Sequence, residues 1–234
     1  MNGLSPQSLA RIAGGLYLVN IVGGAFAIGV VPGMLLVVGD PAATAHNVAS
    51  NEVLYRLGLA VHVVVVLTNV PIALIFYELF KVVDRRVAVL VAFFTLVATA
   101  IEAAGLLNQF SPLIALSTVT LPGAQAQSVT YVSLQSAATG YAVSTIFYAG
   151  YDLAIGYLIL RSTFFPRAIG VLMAVDGIGY LTYSFAQVIA PGFAAHLVPW
   201  VQLPVLPAEG SLCLWLLIAG VNVGRWNAME VGRA

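Results

Sequence analysis

The fold is decided by residues 140–189, which read GYAVSTIFYAGYDLAIGYLILRSTFFPRAIGVLMAVDGIGYLTYSFAQVI. Two apolar stretches, residues 140–160 and 168–189, flank a short segment that contains Arg161 and Arg167. Each stretch is close to the roughly 20 apolar residues that a helix needs to cross a bilayer. Because the connection is short, we predict two membrane helices that lie antiparallel and side by side.

The composition of the whole chain supports a membrane protein. Of the 234 residues, 61% are hydrophobic and 8% are charged, and the mean hydropathy is +0.99. A soluble domain has about 25% charged residues, so this chain could not cover a soluble surface. Nine basic residues balanced by nine acidic ones also exclude nucleic-acid binding as the main role, because no net positive charge attracts phosphate.

Four further stretches have the length of membrane spans. With the hairpin, the six predicted spans cover residues 11–38, 53–80, 87–114, 140–160, 168–189 and 207–224. The predicted fold class is all-α: a polytopic membrane helix bundle of six transmembrane helices, in a single domain over residues 1–234.

The basic residues predict the orientation. Six spans place both termini, the 2–3 loop and the 4–5 loop on one side. These segments contain Arg11, Lys81, Arg85, Arg86, Arg161, Arg167, Arg225 and Arg233, and the other side has only Arg56. Basic residues are enriched in cytoplasmic loops, so we predict that both termini are cytoplasmic.

The first outer loop predicts a helix of its own. Asp40 followed by Pro41 is typical of a helix start, with an N-cap and a proline at the first helical position. We therefore expect a short interfacial helix before the second span. Glu52 and Arg56 stand at i, i+4 in the order that favours an ion pair, which would clamp this loop.

Motifs along nearly the whole chain match a known pattern. They are Ala10–Gly14 with Leu16-Tyr17; Asp40, Thr44-Ala45, Asn47, Glu52, Leu54, Arg56 and Gly58; Tyr77 and Leu79; Phe147, Gly150, Gly156–Ile159, Arg161-Ser162, Pro166 and Gly170–Leu172; and Gly179–Leu181, Pro191, Leu214–Leu217 and Gly220-Val221. The chain resembles a bacterial family of six-helix membrane proteins catalogued as domain of unknown function 4386. The resemblance implies a multi-pass protein of the bacterial plasma membrane, and it brings no established activity.

Two aspartates lie deep in the hairpin. Asp152 and Asp176 are each nine residues from the arginine that marks the cytoplasmic end of their span, which is about 13 Å at 1.5 Å per residue. Asn20 of the first span reaches the same depth. A charged side chain at the bilayer centre costs about 2.5–3.5 kcal/mol on insertion scales, so these aspartates need a partner or a function.

Aromatic and polar side chains accompany both aspartates at helical spacing. The stripes are Tyr141, Thr145, Tyr148 and Asp152 in the fourth span, and Asp176, Tyr180, Tyr183 and Gln187 in the fifth. Spacings of three and four residues place each set on one helix face. We expect the tyrosines to line a cavity, although such stripes also simply pack membrane helices together.

A second polar layer is predicted nearer the outer surface. Glu102 and Glu209 are each 16 residues from Arg86 and Arg225, respectively, which is about 24 Å, and His62 lies slightly higher. Two of these residues have structural alternatives. Glu209 follows a helix start, where a carboxylate complements the helix dipole, and His62 is better explained as a satisfied interface histidine than as a ligand or base.

The candidate site follows from these two layers. The candidate catalytic residues are Asp152, Asp176 and Glu102. The candidate substrate-binding residues are Tyr141, Tyr148, Tyr180, Tyr183, Asn20, His62 and Gln187. We expect no metal and no cofactor, because three histidines and one cysteine do not supply a haem, iron or zinc site and no lysine lies deep in a span.

These residues favour acid–base chemistry within the membrane. A carboxylic acid that stays neutral in an apolar site can act as a general acid, and aromatic rings stabilise a cation. We expect an enzyme that cyclises or isomerises a lipophilic substrate, isoprenoid or another polyene, similar in size to membrane-bound terpene cyclases but without a shared motif. A small proton-coupled transporter and a lipid- or partner-binding scaffold are the alternatives. The expected partners are membrane lipid and a lipophilic small molecule, not nucleic acid.

Overall fold

A computed structural model describes residues 4–197, 200–201 and 203–232. Within these residues the regular structure is helical, without a strand. The helices are α1 (Pro6–Gly24), α2 (Val31–Leu35), α3 (Pro41–Ser50), α4 (Glu52–Phe80), α5 (Arg85–Ser117), α6 (Gly123–Arg161), α7 (Arg167–Ile189), α8 (Pro191–Leu197), α9 (Val205–Ile218) and α10 (Val223–Val231), and a π-helical segment, Ala25–Val30, joins α1 to α2.

Length and hydropathy make the chain a multi-pass membrane protein. Five helical segments of the described chain are long and apolar enough to cross a bilayer, and α9 with α10 supplies a sixth if the bent pair is one span. The all-α, polytopic fold is therefore confirmed. The cytoplasmic placement of both termini stays a prediction.

The helix expected in the first outer loop is confirmed as α3. Asp40 caps it, since its Oδ1 accepts a hydrogen bond from the backbone N–H of Ala43 at 2.9 Å, and Pro41 occupies the first turn. The predicted ion pair is also present, with 2.6 Å between Arg56 Nε and Glu52 Oε1. Local capping and pairing rules thus suffice to place this helix.

α6 is much longer than the predicted fourth span. It begins at Gly123, directly after Pro122, rather than at residue 140, and contains 39 residues. Residues 123–139 include several Gln, Ser and Thr side chains, which lower the hydropathy, but no proline that would break a helix. This polar part holds the first outer loop, because the Tyr131 hydroxyl accepts a hydrogen bond from the backbone N–H of Gly39 at 2.8 Å.

The prediction that residues 207–224 form one continuous helix is wrong. α9 ends at Ile218, and α10 runs at 97° to it after a break. Gly220 adopts a φ of +66° in the break, which favours glycine. The Gln7 side chain bridges the break, since its Nε2 donates to the carbonyl of Ala219 at 3.1 Å and its Oε1 accepts from the N–H of Val221 at 2.8 Å.

Side chains of α10 form hydrogen bonds to the backbone near the ends of α4 and α6. The Trp226 indole N–H donates to the carbonyl of Leu79, near the end of α4, at 2.8 Å. Arg225 Nη1 donates to the carbonyl of Thr163, between α6 and α7, at 3.0 Å. These contacts hold α10 against the end of α4 and the segment between α6 and α7, both of which carry or adjoin basic residues.

The chain divides into two compact units. Unit 1 comprises Met1–Leu18, Thr68–Thr99 and Val143–Ala234, and unit 2 comprises Val19–Leu67 and Ala100–Ala142. Each unit contains buried ionisable side chains, which are described separately below. The single domain over residues 1–234 stays a prediction.

Glycines bring α6 and α7 into close contact in unit 1. A Cβ on Gly156 would lie 2.8 Å from the carbonyl oxygen of Gly170, and the reverse distance is also 2.8 Å. Farther along, Thr145 Oγ1 and Ser184 Oγ are hydrogen-bonded at 2.7 Å. The antiparallel hairpin expected from residues 140–189 is therefore confirmed, with small residues at the interface, as is common between membrane helices.

Candidate functional site: a cluster of three buried carboxyl groups

Asp152, Asp176 and Glu209 form one cluster in unit 1. They belong to α6, α7 and α9, and one carboxylate oxygen from each lies within 4.8 Å of the other two. Asp152 is 1% exposed and Asp176 is 0% exposed, while Glu209 is partly exposed. We call these three residues the carboxyl cluster.

Equal distances from the helix ends explain why the three residues meet. Asp152 is nine residues before the end of α6, and Asp176 is nine residues after the start of α7. Glu209 is nine residues before the end of α9. At 1.5 Å per residue, each carboxyl group lies about 13 Å along its helix from the end that carries or adjoins the basic residues.

Assigning Glu209 to an outer layer with Glu102 was wrong. That assignment measured the distance along a straight helix from Arg225, but Arg225 belongs to α10, beyond the 97° bend. Measured from Ile218, where α9 ends, Glu209 falls at the depth of the two aspartates.

A glycine allows the two aspartates to approach. A Cβ on Gly177 would lie 2.9 Å from the carbonyl oxygen of Ala149 and 3.1 Å from the Cβ of Asp152. α6 and α7 therefore touch through backbone beside the carboxyl cluster, and the adjacent Asp176 side chain reaches Asp152 across this contact.

Neither aspartate has a hydrogen-bond partner in the described part of the chain. All four of their carboxylate oxygens are buried and unsatisfied. Two ionised carboxylates within 4.8 Å of each other repel by at least about 3.5 kcal/mol at an effective dielectric constant of about 20. Buried polar groups are normally hydrogen-bonded, so the unsatisfied oxygens make the cluster a candidate site for protons or a bound cation.

Two tyrosine hydroxyls face the same cluster. Tyr17 of α1 and Tyr151 of α6 are each 6% exposed, and both lie within electrostatic range of Asp152 and Glu209. The two hydroxyls interact with each other, and neither has a hydrogen bond to any other described residue. They are two further buried polar groups beside the carboxyl groups.

Aromatic rings form one wall beside these hydroxyls. Phe76 stacks on Tyr151, with ring centroids 6.1 Å apart and planes 8° apart, and meets Tyr17 edge-on at 6.2 Å. Phe76 is fully buried. Both tyrosine rings beside the carboxyl groups are therefore packed against Phe76.

Two of the tyrosines predicted to bind substrate accept hydrogen bonds from side-chain amides. The Tyr148 hydroxyl accepts from the side-chain amide of Asn69 at 2.9 Å, and the Tyr183 hydroxyl accepts from Gln187. Tyr180 is partly buried in the same unit. Their role in substrate binding stays a prediction.

Glu102 and His62 meet in unit 2. His62 Nε2 and Glu102 Oε1 are 2.9 Å apart, and His62 Nδ1 lies 3.1 Å from Gln109 Oε1. Both members of the pair are buried. Tyr55 donates to the backbone carbonyl of Gln109. The structure thus brings Glu102 and His62 together, while their position near the outer surface stays a prediction.

Two other predicted site residues also belong to unit 2. The Asn20 side chain donates to the backbone carbonyl of Val65 at 3.3 Å, and Tyr141 is partly buried. Of the three candidate catalytic residues, the structure therefore joins Asp152 and Asp176 and assigns Glu102 to another cluster.

Three residues of the site were missed from the sequence: Glu209, Tyr17 and Tyr151. For Glu209 a signal existed, because Gly220 and Asn222 are typical of a helix end followed by a new N-cap. Tyr151 directly precedes Asp152 in the chain. Nothing in the sequence connects Tyr17 with α6.

The family comparison covers most of the chain, including the cluster. The sequence pattern of the family described as Domain of unknown function (DUF4386) matches residues 12–220. The chain belongs to this family. The DUF4386 region contains Asp152, Asp176 and Glu209, and its description assigns no activity. Neither the curated proteins nor the solved structures contain a match to the chain.

Proposed function

We propose that this DUF4386 protein is an intramembrane enzyme that performs acid–base chemistry on a lipophilic substrate at the carboxyl cluster. The observation that carries the proposal is the convergence of Asp152, Asp176 and Glu209 from three helices, with both aspartates buried and unpartnered. Buried ionisable groups in a membrane protein are costly and are functional candidates by default.

The reaction that suits three carboxyl groups is proton transfer to and from carbon. A carboxylic acid donates its proton to one carbon of a C=C bond, which leaves a carbocation on the other. A second carboxylate then removes a proton from a neighbouring carbon, so a C=C bond re-forms and the number of protons is unchanged. If another C=C bond attacks the cation first, the product is a ring.

The surroundings favour an apolar polyene substrate, such as an isoprenoid. A substrate that reaches a site about 13 Å along a membrane helix from its end must dissolve in the bilayer. The rings of Phe76 and Tyr151, stacked beside the cluster, would stabilise a carbocation through their faces. Asp152 is assigned as proton donor, Asp176 as base, and the partly exposed Glu209 as the group that restores the proton.

The test is a comparison of lipid products in nanodiscs. Purified protein is incubated with a polyprenol-containing bacterial lipid extract, and chromatography with mass spectrometry detects products of unchanged mass and shifted retention. We expect such products with the wild type and none with Asp152→Asn or Asp176→Asn. The control is Glu78→Gln, because Glu78 pairs with Lys81 at the end of α4, away from the cluster. Equal products from both Asp variants, the control and the wild type would refute the proposal.

A proton-coupled transporter is the second candidate, and the buried His62–Glu102 pair favours it. That pair supplies further proton-binding groups within a span, as proton relays in transporters do. Liposomes that contain the protein and an internal pH dye separate the two candidates. Transport predicts solute-dependent proton flux without a change in the lipids, whereas the enzyme predicts altered lipids without flux.

A further inference from the structure

We propose that Asp152, Asp176 and Glu209 bind a divalent metal cation that prefers oxygen ligands. The inference rests on the proposed function, and it deepens it by naming the cofactor class of the same site. It replaces the expectation that the chain binds no metal. That expectation was based on the His and Cys residues alone and did not take into account carboxylates from three separate helices.

The oxygen–oxygen distances suit a single ion. Oxygen ligands of Ca²⁺ lie about 2.3–2.6 Å from the metal, so two oxygens on opposite sides of one ion are about 4.6–5.2 Å apart. The three carboxylate oxygens lie within 4.8 Å of one another. Three oxygens at this limiting distance lie about 2.8 Å from a common centre, so they must close by a few tenths of an ångström to bind Ca²⁺ and by somewhat more to bind a smaller ion.

Unsatisfied polar atoms supply the second, independent indication of a ligand. The Tyr17 and Tyr151 hydroxyls are buried, interact electrostatically with Asp152 and Glu209, and have no hydrogen-bond partner among the described residues except each other. Each hydroxyl oxygen can bind an ion or a water molecule on that ion. All four carboxylate oxygens of the two aspartates are buried without a hydrogen-bond partner among the described residues.

The donor set selects the class of metal. Carboxylate and phenol oxygens favour Mg²⁺, Mn²⁺ and Ca²⁺, while Zn²⁺ and copper favour imidazole and thiolate ligands. The nearby thiol of Cys213 donates to the backbone carbonyl of Gly14 at 3.5 Å. A divalent ion would hold all three carboxylates ionised and reduce their combined charge from −3 to −1. Asp152 could not then be the proton donor, so water bound to the ion would take that role in the proposed reaction.

Manganese binding provides the test. Purified protein in phosphatidylcholine nanodiscs is stripped with EDTA and titrated with MnCl₂, and the six-line electron paramagnetic resonance signal reports free Mn²⁺. We expect one bound ion per chain. Asp152→Asn and Glu209→Gln should each weaken the affinity by at least about tenfold, because loss of even an outer-shell partner costs 10–100-fold. The control is Glu78→Gln, because Glu78 belongs to the same unit but pairs with Lys81 and is not part of the carboxyl cluster, and it should bind Mn²⁺ like the wild type.

The outcomes separate the metal from the function. If the wild type binds no Mn²⁺, or if Glu209→Gln binds as tightly as the wild type, the metal site is refuted. Glu209 is partly exposed, so its variant serves even if the aspartate variants fail to fold, which size-exclusion chromatography reports. Mn²⁺ binding without lipid products would refute only the proposed function. Lipid products that persist in EDTA would refute only the metal.

Discussion

Replacing Gly177 by alanine should push α6 and α7 apart beside the carboxyl cluster. The added Cβ would lie 2.9 Å from the carbonyl oxygen of Ala149, 2.9 Å from the Cγ of Leu153 and 3.1 Å from the Cβ of Asp152. An ordinary contact needs about half an ångström more. The carbonyl oxygen belongs to the backbone of α6, so the strain cannot be relieved by rotation of a side chain.

The expected loss of stability can be set against a matched control. Overpacking a close contact costs about 1–3 kcal/mol, while replacing glycine by alanine inside a helix contributes about 0.5–1 kcal/mol of stability. Gly179 lies two residues farther along α7, and there the nearest atoms to an added Cβ are 3.6 Å away. Gly179→Ala keeps the helix contribution without the overpacking, so Gly177→Ala should be less stable than this control by about 1–3 kcal/mol.

Thermal unfolding in detergent, followed by circular dichroism, measures this difference. At about 2–4 °C per kcal/mol for a chain of this size, the midpoint of Gly177→Ala should fall about 2–12 °C below that of Gly179→Ala. Its affinity for Mn²⁺ should fall as well, because Asp152 and Asp176 separate. A midpoint of Gly177→Ala equal to or above that of the control would contradict the close helix contact.

Two further predictions concern contacts outside the carboxyl cluster. Gln7→Ala removes both hydrogen bonds that bridge the break after α9. The free energy of unfolding should therefore fall by about 1–3 kcal/mol. An unchanged thermal midpoint would show that the bridge does not hold α10. Glu102→Leu leaves His62 Nε2 without its hydrogen-bond partner and should destabilise the protein by about 1–3 kcal/mol, whereas the amide of Glu102→Gln can still donate or accept. Equal midpoints for these two variants would argue against the hydrogen bond.

Membrane topology was largely predictable because it depends on local properties. Apolar length and the position of basic residues identified the spans, and the Asp40-Pro41 start identified α3. The start of α6 was missed because residues 123–139 are helical without being apolar. Hydropathy reports where a chain meets lipid, and a helix continues beyond that point when nothing breaks it.

The site was predictable only in part, because it depends on how helices end and pack. Asp152 and Asp176 share a hairpin, so counting residues from its basic turn placed both at one depth. Glu209 lies on a helix whose end is set by Gly220 and by the Gln7 side chain, which is more than 200 residues away in sequence. The contribution of Tyr17 likewise follows from long-range packing of α1, which no local pattern encodes.

The position of Glu209 tests the carboxyl cluster most directly. An experimental structure of the protein in nanodiscs with Mn²⁺ should show the carboxyl groups of Asp152, Asp176 and Glu209 around one metal peak, with α9 ending at Ile218. If α9 instead continued straight to Arg225, Glu209 would lie seven residues farther from the basic end of its helix than the aspartates do from theirs, about 10 Å away along the helix axis. A separation of that size, with no metal between the carboxyl groups, would contradict the cluster.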